Sequence, residues 1–192
     1  YGAVYAHPND HVGYYPGARP IFIKLLYDKS NGQVLGAQAV GKSGVERRVD
    51  VIAMAIQMKA TVFDLEESEL CYAPQYGAAK DPVNMIGMIA ANVMRGDLLI
   101  TPWQNVAKNG AVVLDVRDDD EVACKPIAGE IHIPLNQLRQ RLHELPKDKP
   151  IQICCAVGAR AYTASRLLVQ HGFEASLLSG GAETWFCVEK GN

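Results

Sequence analysis

The apolar run Ile151-Gln152-Ile153-Cys154 passes directly into Cys155-Ala156-Val157-Gly158-Ala159-Arg160, and a helical stretch from Ala161 to about His171 follows. That order sets a cysteine where a strand ends, inside a short turn that opens a helix. The position favours the thiolate, because helix N-terminal amides and a nearby guanidinium both stabilise negative charge. The N–H groups of such a turn can also converge on one point and form an anion nest. Cys155 is therefore read as a nucleophile, with Arg160 as its cationic companion.

Loop size limits what the nucleophile can hold. Four residues, Ala156, Val157, Gly158 and Ala159, separate Cys155 from Arg160. The phosphate-cradling loop of cysteine-dependent phosphatases is longer. A tighter ring suits one sulfur atom, carried as a persulfide, better than a tetrahedral oxyanion. The amides of residues 156–160 are expected to stabilise the charge on that terminal sulfur. The competing reading is a buried structural cysteine, since free cysteine is among the most buried residue types. The strand, the loop, Gly158 and the following helix weigh against it.

The first half of the chain reads differently. Ile21-Phe22-Ile23-Lys24-Leu25-Leu26-Tyr27 is a strand-like run, Ser30-Asn31-Gly32 a turn, and Gln33 to Val40 a second run, which together predict a hairpin. From Gly44 to Lys59 the apolar positions Val45, Val49, Ile52, Ala53 and Ile56 recur at helical spacing. A second helix is predicted from about Pro82 to Met94, with Asp81 as N-cap. Strands followed by helices indicate an α+β unit. A boundary falls near Arg95-Gly96-Asp97, giving domains at 1–97 and 98–192.

Composition narrows the function classes. A chain of 192 residues suits two small domains, each with its own core. The net charge of −2, without a basic stripe, gives no support for nucleic-acid binding. No apolar stretch approaches the length of a membrane span. Five cysteines is an odd count, and adjacent Cys154 and Cys155 cannot bridge without strain, so free thiols in a reducing, cytoplasmic setting are expected. Cys154 should point into the sheet and be inert, while Cys71, Cys124 and Cys187 have no assigned role. Gly36 to Ser43 fits the P-loop pattern letter for letter, but the segment reads as a strand and is discounted. The five histidines are scattered and form no metal-ligand spacing, so no metal site is expected. The acid run Asp118-Asp119-Asp120-Glu121 reads as solvated surface or a helix cap.

Particular motifs add a resemblance. Leu114-Asp115-Val116-Arg117-Asp118, Gly129-Glu130-Ile131-His132-Ile133-Pro134-Leu135, Leu145 to Pro150, the cysteine loop, Gly172-Phe173 and Leu178-Ser179-Gly180-Gly181 occur in order. Over roughly residues 98 to 192 this resembles a single-domain rhodanese. The resemblance implies a three-layer α/β domain with a mainly parallel sheet and a sulfurtransferase cysteine at Cys155. Many rhodaneses carry arginine directly after the cysteine, where this chain has Ala156. Asp115 and Arg117 are expected to be a structural pair at the strand-to-helix corner.

Residues 1–97 resemble something else. His11 to Ala18, Leu35 to Gly41, Arg48-Val49-Asp50-Val51 and Cys71-Tyr72-Ala73-Pro74-Gln75-Tyr76-Gly77-Ala78-Ala79-Lys80-Asp81-Pro82-Val83-Asn84 are similar to the dimerisation domain of pyridine nucleotide-disulfide oxidoreductases. The coenzyme A-disulfide reductases, including relatives with a fused rhodanese that reduce persulfides or polysulfides, match best. The resemblance implies an antiparallel sheet with helices, homodimerisation through 1–97, and FAD, NAD(P)H and coenzyme A as cofactors of a full-length enzyme. It also implies that Tyr14 (or its neighbour Tyr15) and Tyr72, with Tyr76 behind them, face a partner subunit's active site, where a phenol can hydrogen-bond a thiolate or protonate a leaving thiol.

The dinucleotide fingerprint Gly-x-Gly-x-x-Gly is absent from the 192 residues, and the chain begins at Tyr1. The expectation is thus a C-terminal fragment that holds none of these cofactors fully. It would work with the flavin and nicotinamide domains of the same protein and a small thiol or persulfide substrate. The alternative is a catalytically idle rhodanese-like docking module beside a dimerisation domain.

Overall fold

The computed structural model describes residues 1–189 and divides the chain into two compact units, one spanning Tyr1–Asp97 and the other beginning at Leu98. The first unit is built on an antiparallel sheet of β1 (Gly2–Ala6), β2 (Ile21–Tyr27) and β3 (Val34–Gly41), in that spatial order. Strict alternation along β2 buries Ile21, Ile23, Leu25 and Tyr27 and leaves the intervening residues half-covered. That is the period-2 pattern of a sheet with one core face. Three helices complete the unit: α1 (Val45–Gln57) and α3 (Pro82–Met94) pack against the strands, and α2 (Val62–Glu67) packs on α3. They contribute Ile52, Leu65, Val83, Ile86 and Ala90 to the core.

The caps are explicit. Asp81 accepts from the Val83 amide at 3.1 Å, and Pro82 occupies the first helical position, where a missing N–H costs nothing. The predicted hairpin and both predicted helices are present. The P-loop look-alike lies largely within β3, its backbone paired to β2. Two elements escape the sequence pattern. Strand β1 is short and rich in small residues. Helix α2 has six residues, too few to show periodicity, and is held by a reciprocal cap between Thr61 and Asp64.

The second unit is an α/β layer. Its strands are β4 (Ile100–Thr101), β5 (Val112–Asp115), β6 (Ile131–His132), β7 (Ile151–Cys154) and β8 (Ala175–Leu178), in spatial order β4-β8-β7-β5-β6, and every pairing is parallel. The helices are α4 (Asp119–Cys124), α5 (Leu135–Leu138), α6 (Ala159–Gln170) and α7 (Gly181–Glu189). Strand β7 occupies the middle, and all four of its residues are buried, as a strand covered on both faces requires. Its C-terminal end delivers the cysteine loop.

Asp115 and Arg117 form the corner pair that the sequence suggests. Arg117 Nε donates to Asp115 Oδ2 at 2.8 Å, and a second guanidinium N–H reaches the Lys125 carbonyl at 2.9 Å. Cys154 packs with Val113, Ile127, Leu178 and Ala182, and burial pushes its thiol well above the ordinary range, which disfavours the thiolate a nucleophile needs. Among the described residues, no helix is long and apolar enough to cross a membrane.

Candidate active site

Cys155 follows the last residue of β7, and α6 begins at Ala159, two residues earlier than the sequence suggests. Gly158 makes the turn between them with φ of 105°, a left-handed conformation that side chains disfavour. The turn folds the chain back so that helix amides meet the sulfur. The Gly158 N–H donates to Cys155 Sγ at 3.1 Å and the Ala161 N–H at 3.3 Å. Gly158 belongs to the expected set of amides; Ala161, one residue beyond it, does not. Two donors on one sulfur stabilise negative charge there. The residue is only 1% exposed, so the sulfur is buried. Val157 forms the exposed tip, flanked by Ala156 and Ala159.

The loop is fixed from behind by α7. The Ala182 N–H donates to the Cys155 carbonyl at 2.8 Å and the Glu183 N–H to the Ala156 carbonyl at 3.0 Å. These bonds satisfy N-terminal amides of α7 that lack a partner inside the helix. They also turn the N–H groups of Ala156 and Val157 away from α7, because each peptide is trans. Gly181 permits the approach: a Cβ there would lie 2.5 Å from the Ala156 carbonyl oxygen and 2.6 Å from that of Cys155.

Arg160 points elsewhere than the sulfur. Its guanidinium donates to both oxygens of Glu121, at 2.6 and 2.7 Å, and to Asp118 Oδ2 at 2.9 Å. The Arg160 hydrogen bonds hold the Glu121 carboxyl down at about 2, below the usual carboxylate range. Glu121 hydrogen bonds in turn push the Arg160 guanidinium up, and the charge of Cys155 adds to that effect, which puts the sulfur within its electrostatic reach. The acid run is thus both cap and ligand: Asp118 and Glu121 cap α4 while gripping Arg160.

In the first unit the four candidate tyrosines, Tyr14, Tyr15, Tyr72 and Tyr76, occupy two loops. Tyr14 and Tyr76 are 79% and 65% exposed; Tyr15 and Tyr72 are exposed to lesser degrees. The loops meet through the Val12 N–H, which donates to the Gly77 carbonyl at 3.0 Å. Beneath that contact lies Arg48, only 2% exposed. It donates to both oxygens of Asp81 (3.2 and 2.8 Å), to the Asp10 carbonyl and to the Gly44 carbonyl at 3.0 Å. Asp10 in turn accepts from the amides of His11 and Arg19, holding the loop that carries Tyr14 and Tyr15. The sequence reading missed Arg48 as the clamp. Its phase offers a signal, because it sits among Val45, Val49 and Ile52 on the apolar face of α1, where a charge demands a partner.

Comparison with known proteins identifies both units. Residues 1–81 match the pyridine nucleotide-disulphide oxidoreductase dimerisation domain, and residues 103–186 match the rhodanese-like domain. The chain joins a dimerisation domain of that oxidoreductase class to a rhodanese-like domain. Among curated proteins it is similar to the coenzyme A disulfide reductase of Staphylococcus aureus (strain bovine RF122 / ET3-1), 51% identical over 77 residues, which are 40% of this chain and 18% of that protein. Among solved structures, reduced Bacillus anthracis CoADR-RHD superposes with a TM-score of 0.96 at 42% identity, over 99% of this chain and 35% of that one. An NAD-dependent persulfide reductase from A. fulgidus gives 0.88 at 40% identity, over 96% and 34%. The chain therefore spans about a third of the length of these structural relatives.

Proposed function

We propose that this chain is the sulfur-handling and dimerising part of a flavin-dependent reductase of coenzyme A disulfide, persulfide or polysulfide, with Cys155 as its sulfur carrier. The observation that carries the reading is the pair of amides, from Gly158 and Ala161, converging on Cys155 Sγ. A thiolate there attacks the sulfane sulfur of a donor. A new S–S bond forms at Sγ, the donor's own S–S bond breaks, and its electron pair leaves with sulfite or a thiol. The product is a persulfide anion on Cys155, held by the loop amides of Ala156 to Arg160 and by Ala161. It is then passed to a reductase centre elsewhere in the enzyme.

The residues present do not fit a flavin or nicotinamide site, since no dinucleotide fingerprint occurs in the sequence, and no step here runs through those groups. FAD, NAD(P)H and coenzyme A belong to the proposed full-length enzyme. In its homodimer, formed through residues 1–97, Tyr14 and Tyr72 face the partner subunit, with Tyr15 and Tyr76 beside them. Exposed Val40, Met54 and Met58 provide further apolar surface in this unit. Five free thiols agree with a reducing, cytoplasmic setting.

The test is intact mass after incubation with thiosulfate and, separately, with coenzyme A persulfide, for wild type and Cys155→Ser. A dithiothreitol-reversible gain of one sulfur, absent in the variant, is expected. The near-complete burial of Cys155 favours the other reading, an idle docking module, and no gain from either donor would establish it.

A further inference from the structure

The wall beside the cysteine loop is unusually acidic for a site that handles anions. Arg160, the cation nearest the loop in sequence, is matched by Glu121 on two of its N–H groups and by Asp118 on a third contact. One positive charge against two negative ones leaves this triad at −1. Asp119 and Asp120 extend the same first turn of α4. Ala156, directly after the cysteine, adds no charge. Arg117, whose charge also reaches Glu121, is itself paired with Asp115. The loop's own attraction for an anion comes from the backbone amides at the start of α6, whose partial charge is local and small. Two of them, from Gly158 and Ala161, are already engaged with Sγ.

We propose that Glu121 and Asp118 are specificity-determining residues that steer Cys155 toward donors whose sulfane-sulfur group itself carries a single negative charge and against compact dianions such as thiosulfate. The inference rests on the persulfide-carrier reading of Cys155. A thiolate attacking a dianion must bring three negative charges together beside a −1 wall; with a monoanion there are two. Each carboxylate adds its repulsion in proportion to donor charge, so a dianion feels about twice what a monoanion feels. The repulsion acts on approach as well as on binding, and salt weakens it. Cys155 is almost fully buried, which further favours a donor that can insert a small terminal sulfur.

Thiosulfate and methanethiosulfonate form a matched pair for the test. The first transfers its sulfane sulfur to Sγ and releases sulfite; the second makes the same bond and releases methanesulfinate, with one charge fewer throughout. Rates of sulfur gain on this chain are measured with each donor for wild type, Glu121→Gln, Asp118→Asn with Glu121→Gln, and Glu121→Asp. Glutamine keeps the capping bond to the Asp118 amide. Glu121→Gln is expected to raise the thiosulfate rate about three- to tenfold at low salt, and the methanethiosulfonate rate by only about the square root of that factor. The double variant goes further, Glu121→Asp keeps the wild-type ratio, and added salt narrows the differences. An unchanged donor ratio in both neutralised variants, or equal changes for both donors, overturns the proposal while leaving Cys155 as carrier. Sulfur gain from neither donor in any variant overturns the carrier reading, and this inference with it.

Discussion

The cysteine loop and the tyrosine loops solve the problem of holding functional side chains in opposite ways. Around Cys155 the backbone does the work: Gly158 and Ala161, within the contiguous stretch 155–161, bring their amides to the sulfur, and α7 secures the loop by two main-chain bonds. Around Tyr14 and Tyr72 the side chains stand in solvent, and their loops are joined by a main-chain bond from Val12 to Gly77 and by a buried guanidinium on a third element. A site made from contiguous backbone tolerates change on its surface and fails when the backbone is displaced. A site made from remote loops depends on the few long-range contacts that join them, and here the buried Arg48 makes most of them.

The largest expected effect is therefore at Arg48. Arg48→Met removes the clamp and leaves the Asp81 carboxylate buried beside α3, a change expected to cost the first unit about 3–5 kcal/mol in urea unfolding. A loss below about 1 kcal/mol would mean that the two loops are held by something else. Next comes Gly181→Val, which combines a left-handed backbone (φ 66°) with a Cβ overlapping the carbonyls of Cys155 and Ala156. About 1–3 kcal/mol of stability should be lost, together with slower sulfur loading of Cys155. Normal loading in this variant would show that the contact with α7 does not shape the loop.

Acid has a smaller effect. Arg160 holds the Glu121 carboxyl at about 2, so its contribution is complete above the usual carboxylate range and disappears as pH falls from there toward 2. The pair is partly exposed, which limits the contribution to about 1 kcal/mol or less. Comparing acid unfolding of wild type and Glu121→Gln isolates it: the two curves should converge toward pH 2 and separate above the usual range. Separation in the opposite direction would contradict the pairing. Smallest of all is Tyr14→Ala, expected to shift stability by less than about 0.5 kcal/mol because the ring is mostly exposed. A cost of 2 kcal/mol would erase the contrast between the two regions.

The same contrast explains what could be read from the sequence. The strand, cysteine, glycine and helix at 151–170 are adjacent in the chain, so local pattern was sufficient to place them. The hairpin and α3 were legible because alternation and an Asp-Pro start are also local signals. Long-range partners were not. Asp118 and Glu121 lie 42 and 39 positions from Arg160, and an acid run opening a helix is explained well enough by capping alone. Arg48 reaches loops 38 and 33 positions away on either side, and only its phase on α1 hinted at burial. Ala161 was missed as a sulfur donor because a helix beginning at Ala159 turns that amide inward, whereas a later start does not.

The most direct measurement is to load the chain with a sulfane-labelled thiosulfonate and map the label among its five cysteines by peptide mass. Label is expected on Cys155 alone, with Cys154 silent in its core and the exposed Cys71, Cys124 and Cys187 unlabelled. Label spread over the exposed thiols, with Cys155 bare, would contradict it.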